Sequence, residues 1–177
     1  MTVSLYSATV PSYLQVLPAI LGTIGKAEAH CTAQNHSPSE LIGAQLAPDM
    51  WDFGKQIRAV TMHSALALEA AIAGELAPEF TDPPTNFAGL RQLIEDAITR
   101  VKAVSPDQIN GLEGRDTILR FGQRQMDFTA EDFLLSFALP NFYFHATAAY
   151  AILRMKGVSL SKGDFLGAVR VKAPAAA

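Results

Sequence analysis

The stretch from Leu139 to Gly157 constrains the fold more than any other part of the sequence. Pro140 sits where the first turn of a helix tolerates proline, and Gly157 sits where a left-handed residue closes many helices. Apolar side chains go all the way round the helix between them, and such a helix must be covered on all sides. We therefore predict a central or interface helix that begins at Leu139. Its conspicuous polar residues, Asn141 and His145, are four apart and share one face.

Three further amphipathic helices are predicted over residues 4–32, 49–74 and 87–104, because apolar residues recur there at three- and four-residue spacing. The second of them has Asp49 as its expected cap, since an aspartate side chain can accept from the first backbone N–H groups of a helix. The segment 75–86 contains three prolines and is predicted to be a loop.

Two short alternating runs, 117–121 and 125–129, lie on either side of a glycine turn and are typical of a β-hairpin. A short helix is predicted over 131–138. Together with the four long helices, this pattern predicts an all-α fold, an antiparallel four-helix bundle with a short β-hairpin before the last helix. We expect one domain over residues 1–170 and a frayed tail over 171–177.

The composition favours extensive burial. Charged residues make up 18% of the chain, below the usual quarter, which is typical of a protein that buries surface between subunits, so we predict a homodimer. The net charge of −3 and the lack of a basic run argue against a nucleic-acid partner. No segment approaches 18 uninterrupted apolar residues, so we expect no membrane partner and a cytoplasmic protein. The lone Cys31 excludes an intrachain disulfide and a cysteine-rich zinc site.

Three segments carry a family resemblance: LAPDMWDFGKQI, PNFYFHATAAYAILRMKG and KGDFLG. Through them the chain resembles a bacterial family of unknown function in the DinB/YfiT-like metalloenzyme superfamily, from SLYSATVP to DFLG. The resemblance implies a DinB-like four-helix bundle that is often a homodimer. In metal-binding members, a histidine on the second helix joins an HxxxH pair on the last helix to hold nickel, zinc or iron. Some members act on small thiols.

The metal pattern of that superfamily is incomplete in this chain. Aligning its usual LRxxG ending with residues 153–157 puts His145 on the second histidine of HxxxH and Asn141 on the first. The second-helix histidine falls near Gln56, and His63 lies two turns further on. A carboxamide does not replace imidazole on zinc or nickel. We therefore expect no standard three-histidine site and no cofactor; His145 is the one metal candidate that the alignment retains, and a divalent metal such as nickel or zinc is the alternative.

The same residues predict a polar pocket between two helices. Gln56 and His63 are seven apart on one flank of the second helix, and Asn141 and His145 share a face of the last. If these flanks face each other, the four side chains line one cavity. The predicted pocket residues are His145, Asn141, Gln56, His63, Asp52, Trp51 and Tyr143, with Asp52 near the mouth and Trp51 as a roof. The alternative is a buried hydrogen-bond network that only fixes helix register.

Three functions follow from these alternatives. The first is a metal-free protein that binds a small molecule between its helices. The second, which the resemblance alone implies, is a metal-dependent enzyme acting on a small thiol or related substrate. The third is a dimeric scaffold whose polar core is purely structural. The sequence contains no Gly-rich phosphate loop, GxSxG or HExxH motif, so it leaves the catalytic residues, and whether the protein is an enzyme, open.

Overall fold

A computed structural model describes residues 3–78 and 81–172. The chain is mostly helical and carries a small three-stranded sheet. The helices are α1 (Leu5–Gln34), α2 (Pro38–Ile42), α3 (Phe53–Thr61), α4 (Ala67–Ala73), α5 (Phe87–Ala103), α6 (Pro106–Asn110), α7 (Ala130–Asp132), α8 (Leu139–Met155) and α9 (Lys162–Leu166). Two π-helical segments are named π1 (Met62–Leu66) and π2 (Phe133–Ala138). The strands are β1 (Glu75–Leu76), β2 (Asp116–Phe121) and β3 (Arg124–Thr129).

The second long helix begins later than predicted. It starts at Phe53, because the Asp52 carboxylate accepts a hydrogen bond from the backbone N–H of Lys55 at 2.8 Å and so caps α3. The prediction that Asp49 caps this helix is therefore wrong. The helix then runs through π1 into α4 and ends at Ala73, before Gly74 in the left-handed conformation.

No new helix begins at Leu139, contrary to the prediction. The last long helix runs unbroken from α7 through π2 into α8. Inside an α-helix the ring of Pro140 would clash with the carbonyl one turn back, and its missing N–H would leave that carbonyl unpaired. The wider π turn directly before it accommodates the proline. One residue after the proline, Nδ2 of Asn141 donates to the Phe137 carbonyl at 2.8 Å.

The long helical segments pack against one another around an apolar core. α1 contacts α5 and α8, and α3 contacts the same two helices from the other side. In the core the rings of Tyr13 and Phe142 meet edge to face, with their centroids 4.9 Å apart. Both side chains are fully buried, so α1 and α8 are held together by an aromatic contact of well-defined geometry.

The sheet contains one strand that the sequence did not indicate. β2 and β3 are antiparallel, with Asp116 opposite Thr129 and Phe121 opposite Arg124. β1 pairs with β2 in parallel and lies inside the segment that was predicted to be a loop. Glu79 and Phe80, in the rest of that loop, lie outside the described residues. Because Leu76 of β1 and Leu119 of β2 are buried, the sheet adds an apolar wall beside α4.

Residues 171 and 172 have no regular structure, and residues 173–177 of the predicted frayed tail lie outside the described part. Across residues 3–78 and 81–172, no helix combines the length and apolarity that crossing a bilayer requires.

Candidate functional site

Three aromatic rings form a stack where α3, π1 and α8 meet. The imidazole of His145 lies between the indole of Trp51 and the imidazole of His63. Its centroid is 5.4 Å from each neighbour, and the ring planes deviate by 15° from Trp51 and by 11° from His63. This arrangement places two nearly parallel imidazoles next to each other inside the protein.

Each ring of the stack is positioned by a different local feature. Trp51 directly precedes the cap of α3, and its backbone carbonyl accepts a hydrogen bond from Gln56 Nε2 at 3.1 Å. His63 lies in π1, where the wider turn changes the direction of side chains relative to a regular helix. His145 lies in the middle of α8, which packs on α3. The stack therefore depends on the approach of two helices that are distant in sequence.

Gln56 connects the stack to α3 by a second hydrogen bond. Its Oε1 lies 2.7 Å from Nδ1 of His145. Since Gln56 uses its NH₂ group on the Trp51 carbonyl, its Oε1 can only accept, so Nδ1 of His145 carries the proton. A neutral imidazole with its proton on Nδ1 leaves Nε2 as the acceptor.

Burial keeps both histidines neutral at neutral pH. Desolvation lowers the pKa of His145 from 6.5 to about 4. The pKa of His63 is lowered to about 3, mainly by desolvation and further by the neighbouring His145. A charged imidazolium would lose its hydration here without gaining an anionic partner, which is the physical reason for both shifts.

Beside the stack lies a cavity of about 250 Å³ between the helices and the sheet. Its described walls are mostly apolar, and the lining residues with polar side-chain atoms are Trp51, His63, Asn141 and His145. Phe121 and Met126, on the hairpin strands, are about half exposed and mark its open side. The lining residues are Trp51, Met62, His63, Leu76, Pro78, Leu119, Phe121, Met126, Phe137, Asn141 and His145.

The predicted pocket residues divide into three groups. Trp51, His63, Asn141 and His145 line the cavity, and Gln56 stands behind His145. Asp52 lies outside the cavity lining, where it caps α3 and its carboxylate is 3.7 Å from Lys55 Nζ.

Tyr143 does not line this cavity either. It lines a surface groove of about 440 Å³ along the outside of α8.

Several lining residues were not predicted from the sequence. Leu76, Leu119, Phe121 and Met126 come from the sheet. The alternation in β2 and β3 indicated a hairpin but not what it covers, and Leu76 lies in β1, which was predicted to be a loop. Phe137 lies in π2, one helical turn before Asn141, and its ring meets His63 edge to face at 5.4 Å. The proline at position 140 was the available signal, because proline inside a helix is accommodated by local widening.

A three-histidine metal site does not fit these residues. Within residues 3–78 and 81–172 no group of three histidine, cysteine, aspartate or glutamate side chains is placed to hold a metal ion. His63 and His145 lie next to each other, with ring centroids 5.4 Å apart, but no third imidazole, thiolate or carboxylate among the described residues joins them. Nδ1 of His145 is bound to Gln56, and the Asn141 amide donates to Phe137.

Comparison with known proteins gives a match to a family model and matches to solved structures. The sequence model of a domain of unknown function (DUF1993) matches residues 5–166. A crystal structure of a DinB family member protein from Shewanella denitrificans is similar over 96% of both chains, with 30% sequence identity and a TM-score of 0.80. No functionally curated protein matches the chain.

Proposed function

We propose that this chain, which belongs to the DUF1993 family of DinB-like proteins of unknown function, binds a small, largely apolar molecule in the cavity between its helices and its sheet. The observation that carries the proposal is a cavity of about 250 Å³ whose described walls are mostly apolar and carry a few polar side chains. Ligand sites in soluble proteins have this character, with a few polar groups that fix orientation. Since an apolar cavity of about 150 Å³ already holds benzene, this volume suits a small organic ligand.

The lowered pKa values of His63 and His145 favour ligand binding over acid–base catalysis. A general base works best when its pKa is near the working pH, and the pKa values of His145 and His63 are about 4 and about 3. Neither ring has a carboxylate partner among the described residues, so neither has the usual means of raising its basicity. Cys31, the one thiol of the chain, lies in α1 and does not line the cavity.

We propose that binding at this site does not use the standard metal of the superfamily. Two of the three expected positions carry Gln56 and Asn141, whose side chains are bonded to His145 and to the Phe137 carbonyl. Among the described residues the site has two imidazoles, His63 and His145, and no third metal-binding side chain beside them. The metal-dependent thiol chemistry that the resemblance implies has no matching donor set here.

The architecture that we propose is a DinB-like four-helix bundle in one domain over residues 1–170. Its support is the pattern of helix contacts, in which α1 and α3 each pack on both α5 and α8. The chain and the Shewanella denitrificans protein cover each other almost fully, which supports the same arrangement.

We also propose that two copies of the chain form a homodimer through the outer face of α8. The surface groove there is lined by residues that carry no charge: Leu46, Met50, Pro140, Tyr143, Phe144, Thr147, Ala148 and Ala151. The Phe144 ring is 56% exposed beside it. An apolar projection next to an apolar groove is self-complementary under a two-fold axis, which favours a second copy as the partner.

Binding is tested with benzofuran, a flat bicyclic probe, by isothermal titration calorimetry. Leu119→Phe fills part of the cavity, and we expect it to weaken benzofuran binding about tenfold or more relative to the unchanged protein. The matched control is Leu135→Phe, because Leu135 is 42% exposed and lies outside the cavity. No binding to the unchanged protein, or equal binding to both variants, contradicts the proposal.

A further inference from the structure

We infer that the ligand of this cavity is a flat aromatic molecule with one N–H or O–H donor, which Nε2 of His145 accepts, and that Gln56 is the residue that positions this acceptor. The inference rests on the proposed binding function and adds the chemical class of the ligand. It begins from the two hydrogen bonds of Gln56 and from the shape of the ring stack.

Gln56 determines which ring nitrogen of His145 is the hydrogen-bond acceptor. The Gln56 side chain is 1% exposed and is held at both ends, with Nε2 on the Trp51 carbonyl and Oε1 on His145 Nδ1. Turning the amide over would place its NH₂ against the imidazole and its oxygen against a carbonyl oxygen, which is repulsive. The proton of His145 therefore stays on Nδ1, and its Nε2 lone pair is the group left for a ligand.

Nε2 of His145 is accessible. The fully enclosed polar side-chain atoms that lack a partner, among the described residues, are Tyr13 Oη, His63 Nδ1 and Thr117 Oγ1. Nε2 of His145 is not one of them, and no described side chain bonds to it. Since the ring lines the cavity, a bound molecule can supply the missing donor.

His63 contributes a group of the opposite kind. Its Nδ1 is enclosed and has no hydrogen-bond partner in the described part of the chain. A buried acceptor without a partner is tolerated more often than a buried N–H without one, so the proton lies on Nε2. His63 consequently offers an N–H, and the acceptor of the ring pair belongs to His145.

The shape and charge of the cavity restrict the rest of the ligand. Trp51, Phe121 and Phe137 provide aromatic walls, against which flat rings pack in offset or edge-to-face geometry. The volume of about 250 Å³ exceeds the space that holds one benzene ring and suits two fused rings. None of the lining residues in the described part of the chain carries a charge at neutral pH, so these residues give an ionic ligand no compensation for its lost hydration.

Indole and benzofuran test the inference because they have nearly the same size and differ in the N–H donor. For the unchanged protein we expect indole to bind about tenfold more tightly than benzofuran, the advantage of one net hydrogen bond. In Gln56→Met, His145 is no longer held in one tautomer, so the preference for indole over benzofuran should fall to about twofold or less. The control Gln92→Met changes an exposed glutamine of α5 and should keep the full ratio.

A spectroscopic measurement shows whether Gln56 positions the acceptor of His145 or only stabilises the fold. Long-range ¹H–¹⁵N correlation spectra report which imidazole nitrogen carries the proton, and we expect His145 with the proton on Nδ1 in the unchanged protein and a mixture in Gln56→Met. This measurement and the indole-to-benzofuran ratio of the unchanged protein test the inference even if the variant does not fold. Benzofuran binding with no preference for indole, or a His145 proton on Nε2, overturns the inference and leaves the proposed function standing. If neither compound binds, both fail.

Discussion

The two faces of α8 are alike in sequence and opposite in environment. The inner face carries Phe142, which is fully buried, and His145, which is 8% exposed. The outer face carries Phe144 and Met155, which are 56% and 52% exposed. Both faces are rich in alanine and aromatic residues, so hydrophobicity alone does not distinguish them.

The difference between the faces shows what each can do. On the inner face, water is excluded, and burial lowers the histidine pKa values and turns Gln56 into a fixed partner of His145. On the outer face, water reaches the same kinds of side chain, and an apolar groove is available for another protein surface. The inner face is therefore suited to a small ligand, and the outer face to a second copy of the chain.

The largest expected effect is a loss of folding stability at acid pH, caused by His145 on the inner face of α8 and by His63 beside it. Below pH 6.5 the unfolded chain takes up protons on His63 and His145, whereas the folded protein does so only below about pH 3 and about pH 4. Stability is therefore complete above pH 6.5 and is lost as the pH falls. We expect a loss of about 2–3 kcal/mol per ring between pH 6.5 and about pH 4.5, measured by urea denaturation.

Two variants make this measurement specific. The double variant with His63→Leu and His145→Leu should lose most of the acid sensitivity, because the two groups that take up protons are gone. His36→Gln changes an exposed histidine just after α1 and should leave the profile as it was. A double variant with the same acid profile as the unchanged protein would refute the assignment of this effect to the inner face.

A smaller effect is expected when the link between Gln56 and His145 is broken. Gln56→Ala and His145→Ala should each cost about 1–3 kcal/mol, because each leaves a buried polar partner without its hydrogen bond. The double variant should cost less than the sum, since the second change no longer strands a partner. Guanidinium denaturation of all four proteins gives this coupling energy.

A second double-mutant cycle, between Asn141 and His145, provides the comparison. The Asn141 side chain donates to the Phe137 carbonyl and not to His145. The coupling energy between Asn141→Ala and His145→Ala should therefore be smaller than that of the Gln56 pair, about 1 kcal/mol or less, because the two residues share a cavity wall but no hydrogen bond. A coupling as large as that of the Gln56 pair would place Asn141 in the same hydrogen-bond network, contrary to the structure.

A substitution on the outer face of α8 should change the assembly of two copies but have little effect on folding. Phe144→Glu places a charge beside the apolar groove, and we expect it to convert a homodimer into a 19.0 kDa monomer. Its free energy of unfolding, measured per chain at high dilution, should change by about 1 kcal/mol or less, because the side chain is exposed and loses only an edge-to-face contact with His145. Multi-angle light scattering of both proteins decides this. A monomeric unchanged protein would remove the proposed role of the outer face.

The smallest expected effect is that of metal removal. Because the donor set of the inner face does not fit three-histidine coordination, we expect no stoichiometric nickel or zinc by elemental analysis and no change in melting temperature with a chelator. One equivalent of metal that disappears in His145→Ala would contradict this and return the site to metal chemistry.

Much of the site could be predicted from spacing along single helices. The four-residue interval from Asn141 to His145 and the seven-residue interval from Gln56 to His63 put these side chains on common flanks. Spacing did not reveal that Gln56 pairs with His145, because that bond joins residues 89 positions apart. Nor did it reveal π1 and π2, since a single wide turn leaves the apolar pattern of a helix nearly unchanged.

The sequence by itself determined the helical character of the chain, the hairpin segments and the DinB-like family, because these depend on local periodicity and on matched motifs. Only the tertiary structure decided which face of α8 is buried, that Trp51, His145 and His63 stack, and that β1 and the hairpin enclose a cavity beside them. The physical reason is that tautomer, pKa and cavity volume depend on which groups exclude water from one another. Those groups lie on helices and strands that meet only in the folded chain.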